Sequence, residues 1–547
     1  MTRVFASTCV VIFATTYIWL SSAALAFTQL DVQKGLTYLG YDPGPLDGII
    51  GRKTHAAFAN FWLDTFDKKY TGQYSYQDYR KIGDVLSDEL EYDQWALYET
   101  LDLPNPIPSF SKFISVKLTP EYPFTNGSST PAFPQHDYTV QHPHVLDIDG
   151  DGCTDTLFQF MDSYAYPQIL YGSPTLSRGD LKKEDQWPKT TSIRNFKLKD
   201  LDGDEKLDFV GFTAPHSISS DGKFGIKPEK ELVHSSLNNT ALTSLKTYAH
   251  SGIISDVNGD GINDIFPISE FPDREQIALL GDGNGKFDRK FSVRLPFKTV
   301  ISDAFAEDLN GDGIDDYVFT AAKDTRFNRY VTNEYYEKNG SIRIAFGIKG
   351  KSINELDFKP YGSHWMSDEH WVTWRLLHRA SDAGYAQRKD RAHTQPSNVN
   401  ALDFDNDGDL DILIGFYVAS NSTWMTSGFQ ILENTGEDFV EATKKFAPVQ
   451  IGNQSFTQPS GFLLKASLVD FNEDGNKDLV LTTSMGQTHN QMSVSLYLNH
   501  NGKYFPISAN VTRGHSVKSR LHVADFNCDG KNDFMSGGGT NWTYHLR

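Results

Sequence analysis

Side chains carrying oxygen recur at positions 1, 3, 5 and 9 of a nine-residue stretch that appears seven times in this chain. The cleanest copy is Asp256-Val-Asn-Gly-Asp-Gly-Ile-Asn-Asp264, read as D-x-[DN]-x-D-G-x-x-D. Hard oxygen donors so close together suit a hard cation, and a loop of this kind supplies much of the shell of about six to eight oxygens that Ca²⁺ takes. Mg²⁺ fits less well, because it demands a small octahedron and keeps its waters. The candidate ligands are Asp147, Asp149, Asp151 and Asp155; Asp200, Asp202, Asp204 and Asp208; Asp256, Asn258, Asp260 and Asp264; Asp308, Asn310, Asp312 and Asp316; Asp403, Asp405, Asp407 and Asp411; Asp470, Asn472, Asp474 and Asp478; and Asp525, Asn527, Asp529 and Asp533. Up to seven Ca²⁺ ions are expected. Position 6 is Gly in six copies, as suits a backbone that turns with φ > 0, but Glu205 in the second, which marks that site as the weakest.

The elements around the loops read as strands. Ile265-Phe-Pro-Ile, Tyr317-Val-Phe-Thr, Ile412-Leu-Ile-Gly and Leu479-Val-Leu-Thr are short apolar runs rich in β-branched or aromatic residues. An EF-hand would place a helix there and would run twelve residues to a final Glu. Between loops a hairpin recurs as strand, Gly turn and aromatic return: Ile277 to Phe287, Phe429 to Phe439 and Val494 to Tyr504. Loop starts lie 53, 56, 52, 95, 67 and 55 residues apart. A period near fifty with several strands per unit is the signature of a propeller array.

These features resemble the FG-GAP/VCBS repeats that form calcium-loaded seven-bladed propellers, the architecture at the head of integrin α chains. The resemblance spans about residues 110–547 and implies a mainly β chain. So few residues follow Asp533 that Phe113 to Leu118 is expected to complete the last blade and close the ring.

Residues 1–26 carry Arg3, an apolar stretch from Val10 to Leu20 and Ala24-Leu-Ala26, the pattern of a cleaved signal peptide. The apolar core is shorter than the ~20 residues of a span, and no later segment approaches that length, so no transmembrane span is expected in the mature chain. Residues 27–66 then change to helical grammar. Val32, Leu36 and Leu39 share a face, Gly40 ends that helix, and Phe58, Phe61 and Trp62 mark a second helix starting near Gly51. With Val32-Gln33, Leu39-Gly40-Tyr41, Gly44-Pro45-Leu46-Asp47-Gly48 and Gly51, Thr54, Ala57 and Phe61, this stretch resembles the small all-α peptidoglycan-binding-like domain, departing from it at Trp62 where that family usually has Gln. The resemblance implies peptidoglycan as a partner, with Tyr41, Asp47, Gly48 and Thr54 as binding residues. Residues 67–109 read as a helical extension and a Pro-rich linker.

The spacing of 95 leaves an insert at about 350–398. It carries a basic, aromatic patch of Trp365, His370, Trp371, Trp374, Arg375, His378 and Arg379, suited either to stacking a sugar while gripping a carboxylate or to packing a helix on the propeller. No HExxH spacing, Ser nucleophile elbow or phosphate loop occurs. The net charge of −19 disfavours nucleic acid as a partner. Seven Ca²⁺ would offset most of it, leaving about −5. Cys153 and Cys528, in the first and seventh loops, are candidates for a disulfide in an oxidising compartment. The sequence therefore predicts an exported protein, periplasmic or extracellular and wall-associated, that presents a ligand-binding or adhesion surface to a glycan or an envelope or extracellular protein. The alternative is an enzyme acting on envelope polysaccharide or peptide, with its site at residues 360–393.

Overall fold

The computed structural model describes residues 29–71, 74–75, 77–86, 114–118, 144–158, 168–176, 181–183, 193–203, 208–213, 217–218, 224–225, 233–235, 251–269, 276–322, 336, 338–363, 393–420, 423–436, 438–448, 463–485, 491–506, 520–538 and 541–547. The signal segment, the patch from Trp365 to Arg379, and Asp204 with Glu205 of the second loop lie outside these residues. The described chain forms two compact units, one ending at Leu86 and one beginning at Ile114. None of its helices is long and apolar enough to cross a membrane.

The first unit is helical. Helix α1 (Gln29–Tyr38) stops at Gly40, whose φ of +84° suits a residue without a side chain, and Tyr41 N–H returns to the Leu36 carbonyl. Helix α2 (Arg52–Phe66) starts from extended Gly51 and ends on left-handed Asp67, whose N–H caps the Leu63 carbonyl. Val32 and Leu36 of α1 face Ala57, Phe58 and Phe61 of α2, as helical spacing places them, and Ile82 from a helical stretch through 77–86 completes the core. Tyr70 and Tyr74 meet Phe58 edge-on and Trp62 meets it at a tilt.

The second unit is mainly β and consists of small antiparallel sheets. Its repeating plan is a four-stranded meander, as in the third sheet: Ser251–Ser255, Asp264–Ile268, Gln276–Leu280 and Arg289–Val293. The first (His144–Leu146 to Leu181–Lys183), fourth (Ala304–Glu307 to Lys359–Tyr361), fifth (His393–Leu402 to Phe439–Glu441) and sixth (Leu463–Val469 to Lys503–Pro506) follow it. The second (Ile193–Lys199 to Val233–Ser235) shows three strands among the described residues, beside a two-stranded piece of Ser217–Ile218 and Phe224–Gly225. The seventh is made from both ends of the unit. Arg520–Ala524, Asp533–Gly538 and Asn541–Leu546 are joined by Ile114–Leu118, in register Ile114 with Leu546 through Leu118 with Trp542.

Apolar runs pack each sheet on the next. Leu157 and Ile169 of the first meet Leu198 of the second; Phe212 meets Ile254 and Leu279; Ile253 and Phe266 meet Tyr317 and Phe319; Phe346 stacks on Phe439 at 5.9 Å; Leu413 and Phe429 meet Leu479 and Tyr497; and Phe471 meets Phe534 edge-on at 5.2 Å. Leu170 of the first sheet then packs on Phe526 and Tyr544 of the seventh. One detail of the expected hairpin differs: Phe287 is buried, but it precedes the return strand Arg289–Val293 instead of lying in it.

Candidate metal centres

Every loop joins the first strand of its sheet to the second, and the register is the same in all seven. The residue before position 1 pairs with position 9: Leu146 with Asp155, Lys199 with Asp208, Ser255 with Asp264, Glu307 with Asp316, Leu402 with Asp411, Val469 with Asp478 and Ala524 with Asp533. The position-9 carboxylate thus sits inside the sheet. Asp155, Asp264, Asp316, Asp411, Asp478 and Asp533 are at most 1% exposed. One oxygen of each accepts the position-2 amide, as Asp411 Oδ2 does from Phe404 at 2.9 Å, and the other accepts an amide at the end of the third strand, here Asn434 at 2.8 Å. Those third-strand partners are Gly172, Gly281, Gly347, Asn434, Asn499 and Arg547.

The remaining donors fold over this base. In five loops position 1 takes amides on both oxygens: Asp256 Oδ1 from Gly259 at 2.7 Å and Oδ2 from Gly261 at 2.7 Å, with the same use of Asp147, Asp308, Asp470 and Asp525. Position 5 accepts from position 7, as Asp407 does from Asp409 at 2.9 Å. Positions 1, 3 and 9 come together. In the first, second and fifth loops, Asp147, Asp149 and Asp155, Asp200, Asp202 and Asp208, and Asp403, Asp405 and Asp411 each bring three carboxylate oxygens within 4.8 Å of one another. In the other four loops position 3 is Asn, which offers an amide oxygen in place of a carboxylate oxygen. In the first and fifth loops the position-5 carboxylates, Asp151 and Asp407, stand outside the three groups.

The fifth loop tests whether these residues fit a cation. Asp403 Oδ1 is buried and, among the described residues, meets no hydrogen-bond donor, although Asp405 and Asp411 lie beside it. Burial, followed by the neighbouring carboxylates, pushes Asp411 and Asp264 up to about 7 and Asp316, Asp478 and Asp533 up to about 6. An oxygen-only donor set, crowded, buried and short of positive charge, is what a hard divalent cation relieves.

Position 6 is left-handed wherever it is described, for example φ +97° at Gly408 and +87° at Gly261. Sequence reasoning missed that position 4 is left-handed too. It is Gly in four loops, but Asn406, Glu473 and Cys528 hold φ of 59°, 60° and 60° there. Four glycines of seven at that position were the available signal. The reading also missed the stitches between sheets. Tyr317 Oη donates to the Asp256 carbonyl at 2.8 Å, Asn434 Nδ2 to Leu309 O at 2.7 Å, Tyr504 Oη to Phe404 O at 3.2 Å and Thr154 N to Asp525 O at 3.0 Å. Each ties the start of one loop to a neighbouring sheet.

Cys153 and Cys528 are joined by a disulfide with Cα atoms 5.1 Å apart, linking the first and seventh loops. In the helical unit, Gln33 is buried and knits the turn, donating to Pro45 O and Asp47 Oδ1 and accepting from Gly48 N. Thr54 is 2% exposed and donates to Pro43 O. Tyr41 is half-buried on the edge of Phe61, with its hydroxyl on Asp64.

Comparison with known proteins adds one assignment to this geometry. Residues 470–536 match the FG-GAP-like repeat. That FG-GAP-like repeat takes in the sixth and seventh loops, and the five earlier loops share its hairpin register. Comparison with curated proteins finds no match. Among solved structures, a polysaccharide lyase, an ulvan lyase bound to a saccharide of GlcA and Rha3S, is similar at 12% identity with a TM-score of 0.36, over 75% of this chain and 94% of that one.

Proposed function

We propose that the second unit is a calcium-loaded, seven-bladed β-propeller presenting a ligand-binding or adhesion surface, in an exported, wall-associated protein whose helical unit binds peptidoglycan. The observation that carries the calcium reading is the fifth loop, where three converging carboxylates include a buried oxygen without a donor. Seven loops of one register and the packing of each sheet on the next, the first against the seventh included, support the bladed ring. Bound Ca²⁺ would supply the positive charge that lets these carboxylates stay ionised next to one another. The chain's own part is to hold positions 1 and 9 in place through the amides described above.

Calcium titration calorimetry and thermal melts test this reading. Binding at several sites and a melt raised by Ca²⁺ relative to excess EGTA are expected, since a ligand of the native state stabilises it by mass action. Superimposable melts would sink the calcium reading. Pull-down on peptidoglycan sacculi, comparing the mature chain with one starting at Phe110, tests the helical unit; equal retention of both would remove its proposed role.

A further inference from the structure

Between the third and fourth loops lies a cavity of about 600 Å³, lined in part by the loop carboxylates Asp256, Asp260 and Asp312 and otherwise by residues outside the candidate ligand set. Sites for small organic molecules run to roughly 300–1,000 Å³. Its lining is amphipathic. Ile314, Ile348 and Leu356 supply apolar surface, with Ile348 47% exposed, while Asn263 and Tyr317 supply polar groups. Tyr317 is fixed, because its hydroxyl donates to Asp256 O and meets Ser255 Oγ at 3.1 Å.

The charges decide what such a lining would accept. Lys199 Nζ sits 3.2 Å from Asp315, and their side chains are 37% and 27% exposed, so this pair on the cavity wall remains open to a competing anion. Lys349 and Lys351 lie on a turn pressed against the third loop; a Cβ at Gly259 would stand 2.8 Å from the carbonyl carbons of Gly350 and Lys351. Against these three ammonium groups stand Asp315 and three loop carboxylates, those of Asp256, Asp260 and Asp312. If the loop carboxylates are committed to metal, Asp315 is the one carboxylate left in the lining beside three lysines, with Glu307 close to the Lys199–Asp315 pair and Glu355 close to Lys351 outside it. Without metal, the anions outnumber the cations, and the lining repels an anion.

We infer that this cavity binds an anionic saccharide unit, a uronate of one or two rings, when the flanking loops hold Ca²⁺. The inference rests on the calcium reading and adds to it a place and a ligand class. The ligand's carboxylate takes Lys199 in competition with Asp315, its ring carbons cover Ile314 and Leu356, and its hydroxyls meet Asn263 and the exposed backbone of the glycine-rich loops.

The test is isothermal titration of the full chain in millimolar Ca²⁺ with glucuronate, digalacturonate and, as a neutral control of matching size, glucose. Uronate binding is expected, with none for glucose. Tighter binding of digalacturonate than of glucuronate would assign the site to a polymer, and equal binding to a free sugar acid. Lys199→Met should weaken uronate binding about tenfold, the scale of one charge-assisted hydrogen bond, with Ca²⁺ binding unchanged. The double variant Lys349→Ser, Lys351→Ser, on an exposed turn, should weaken it as well. Equal binding of glucose, or uronate affinity indifferent to both lysine variants, overturns the inference. Normal Ca²⁺ heats with no uronate heat refute the cavity and leave the calcium reading standing, whereas absent Ca²⁺ heats remove both.

Discussion

At position 9 one aspartate serves two ends. Asp411 accepts amides from Phe404 and Asn434, so its carboxylate bolts the loop to the third strand while also facing Asp403 and Asp405. Asp407 at position 5 is exposed and accepts one amide from within its own loop. The two should therefore respond differently to neutralisation. Asp411→Asn turns an amide NH₂ toward a backbone N–H and is expected to cost about 1–3 kcal/mol even in EGTA. Asp407→Asn should cost under about 1 kcal/mol in EGTA and show its effect chiefly as weaker calcium binding. Denaturant midpoints of both variants, with and without Ca²⁺, check this; equal losses in EGTA would contradict the framework role. The oxygen types at positions 1, 3, 5 and 9 were legible in the sequence. The bolting was not, because the third-strand partner follows at separations of 17, 31, 23, 21 or 14 residues, as with Gly172, Gly347, Asn434, Asn499 and Arg547, and no fixed spacing announces it.

Among elements, the loops and the turns that lean on them matter most. Gly259 and Gly311 hold the same position in successive loops, with φ of +85° and +73°, yet only Gly259 is crowded from outside. Gly259→Ala and Gly311→Ala should both pay the left-handed cost of about 1 kcal/mol, and Gly259→Ala should lose clearly more because the 350–351 turn must also retreat. Matching losses in thermal or denaturant unfolding would mean the turn yields freely. Strand positions after the loops were readable from β-branched runs such as Ile412-Leu-Ile, and the two helices from Gly40 and Gly51. What sheets share was not readable. Asp303 accepts Val399 N from the fifth sheet and Ser251 Oγ from the third, and nothing around it in sequence distinguishes it from a surface acid.

For the whole molecule, the buried aspartates make stability depend on pH in a direction that metal should reverse. Unfolded carboxylates titrate near ~4, whereas burial holds Asp264 and Asp411 up to about 7 and Asp316, Asp478 and Asp533 up to about 6. A raised folded value means the native state keeps protons that the unfolded chain has released. That contribution is complete below pH ~4 and is lost as pH climbs through about 6 to 7. The calcium-free protein should thus melt progressively lower across this window, while in Ca²⁺ the decline should flatten or invert, because the cation replaces the proton. Parallel pH profiles in EGTA and Ca²⁺ would refute it. The seam offers a separate check. Cys528 holds φ +60° and closes a loop of 375 residues with Cys153. Cys528→Ser removes a cross-link worth up to about 4–5 kcal/mol in the chain-entropy model and keeps the strain. Cys528→Gly should lose about 1 kcal/mol less, because glycine relaxes it. Identical non-reducing melts for wild type and both variants would show that the seam does not depend on the bond.

The seventh sheet also dictates an order of events. Its outer strand, Ile114–Leu118, leaves the ribosome roughly 430 residues before Asn541–Leu546, against which it pairs. An early segment must therefore stay unpaired through the making of nearly the whole unit, its backbone donors and acceptors open to any passing edge. The sheet that joins the two ends cannot nucleate folding during synthesis. A chain with those ends fused and a new opening cut between two other sheets would escape that wait, and its refolding yield would report how much the delay costs.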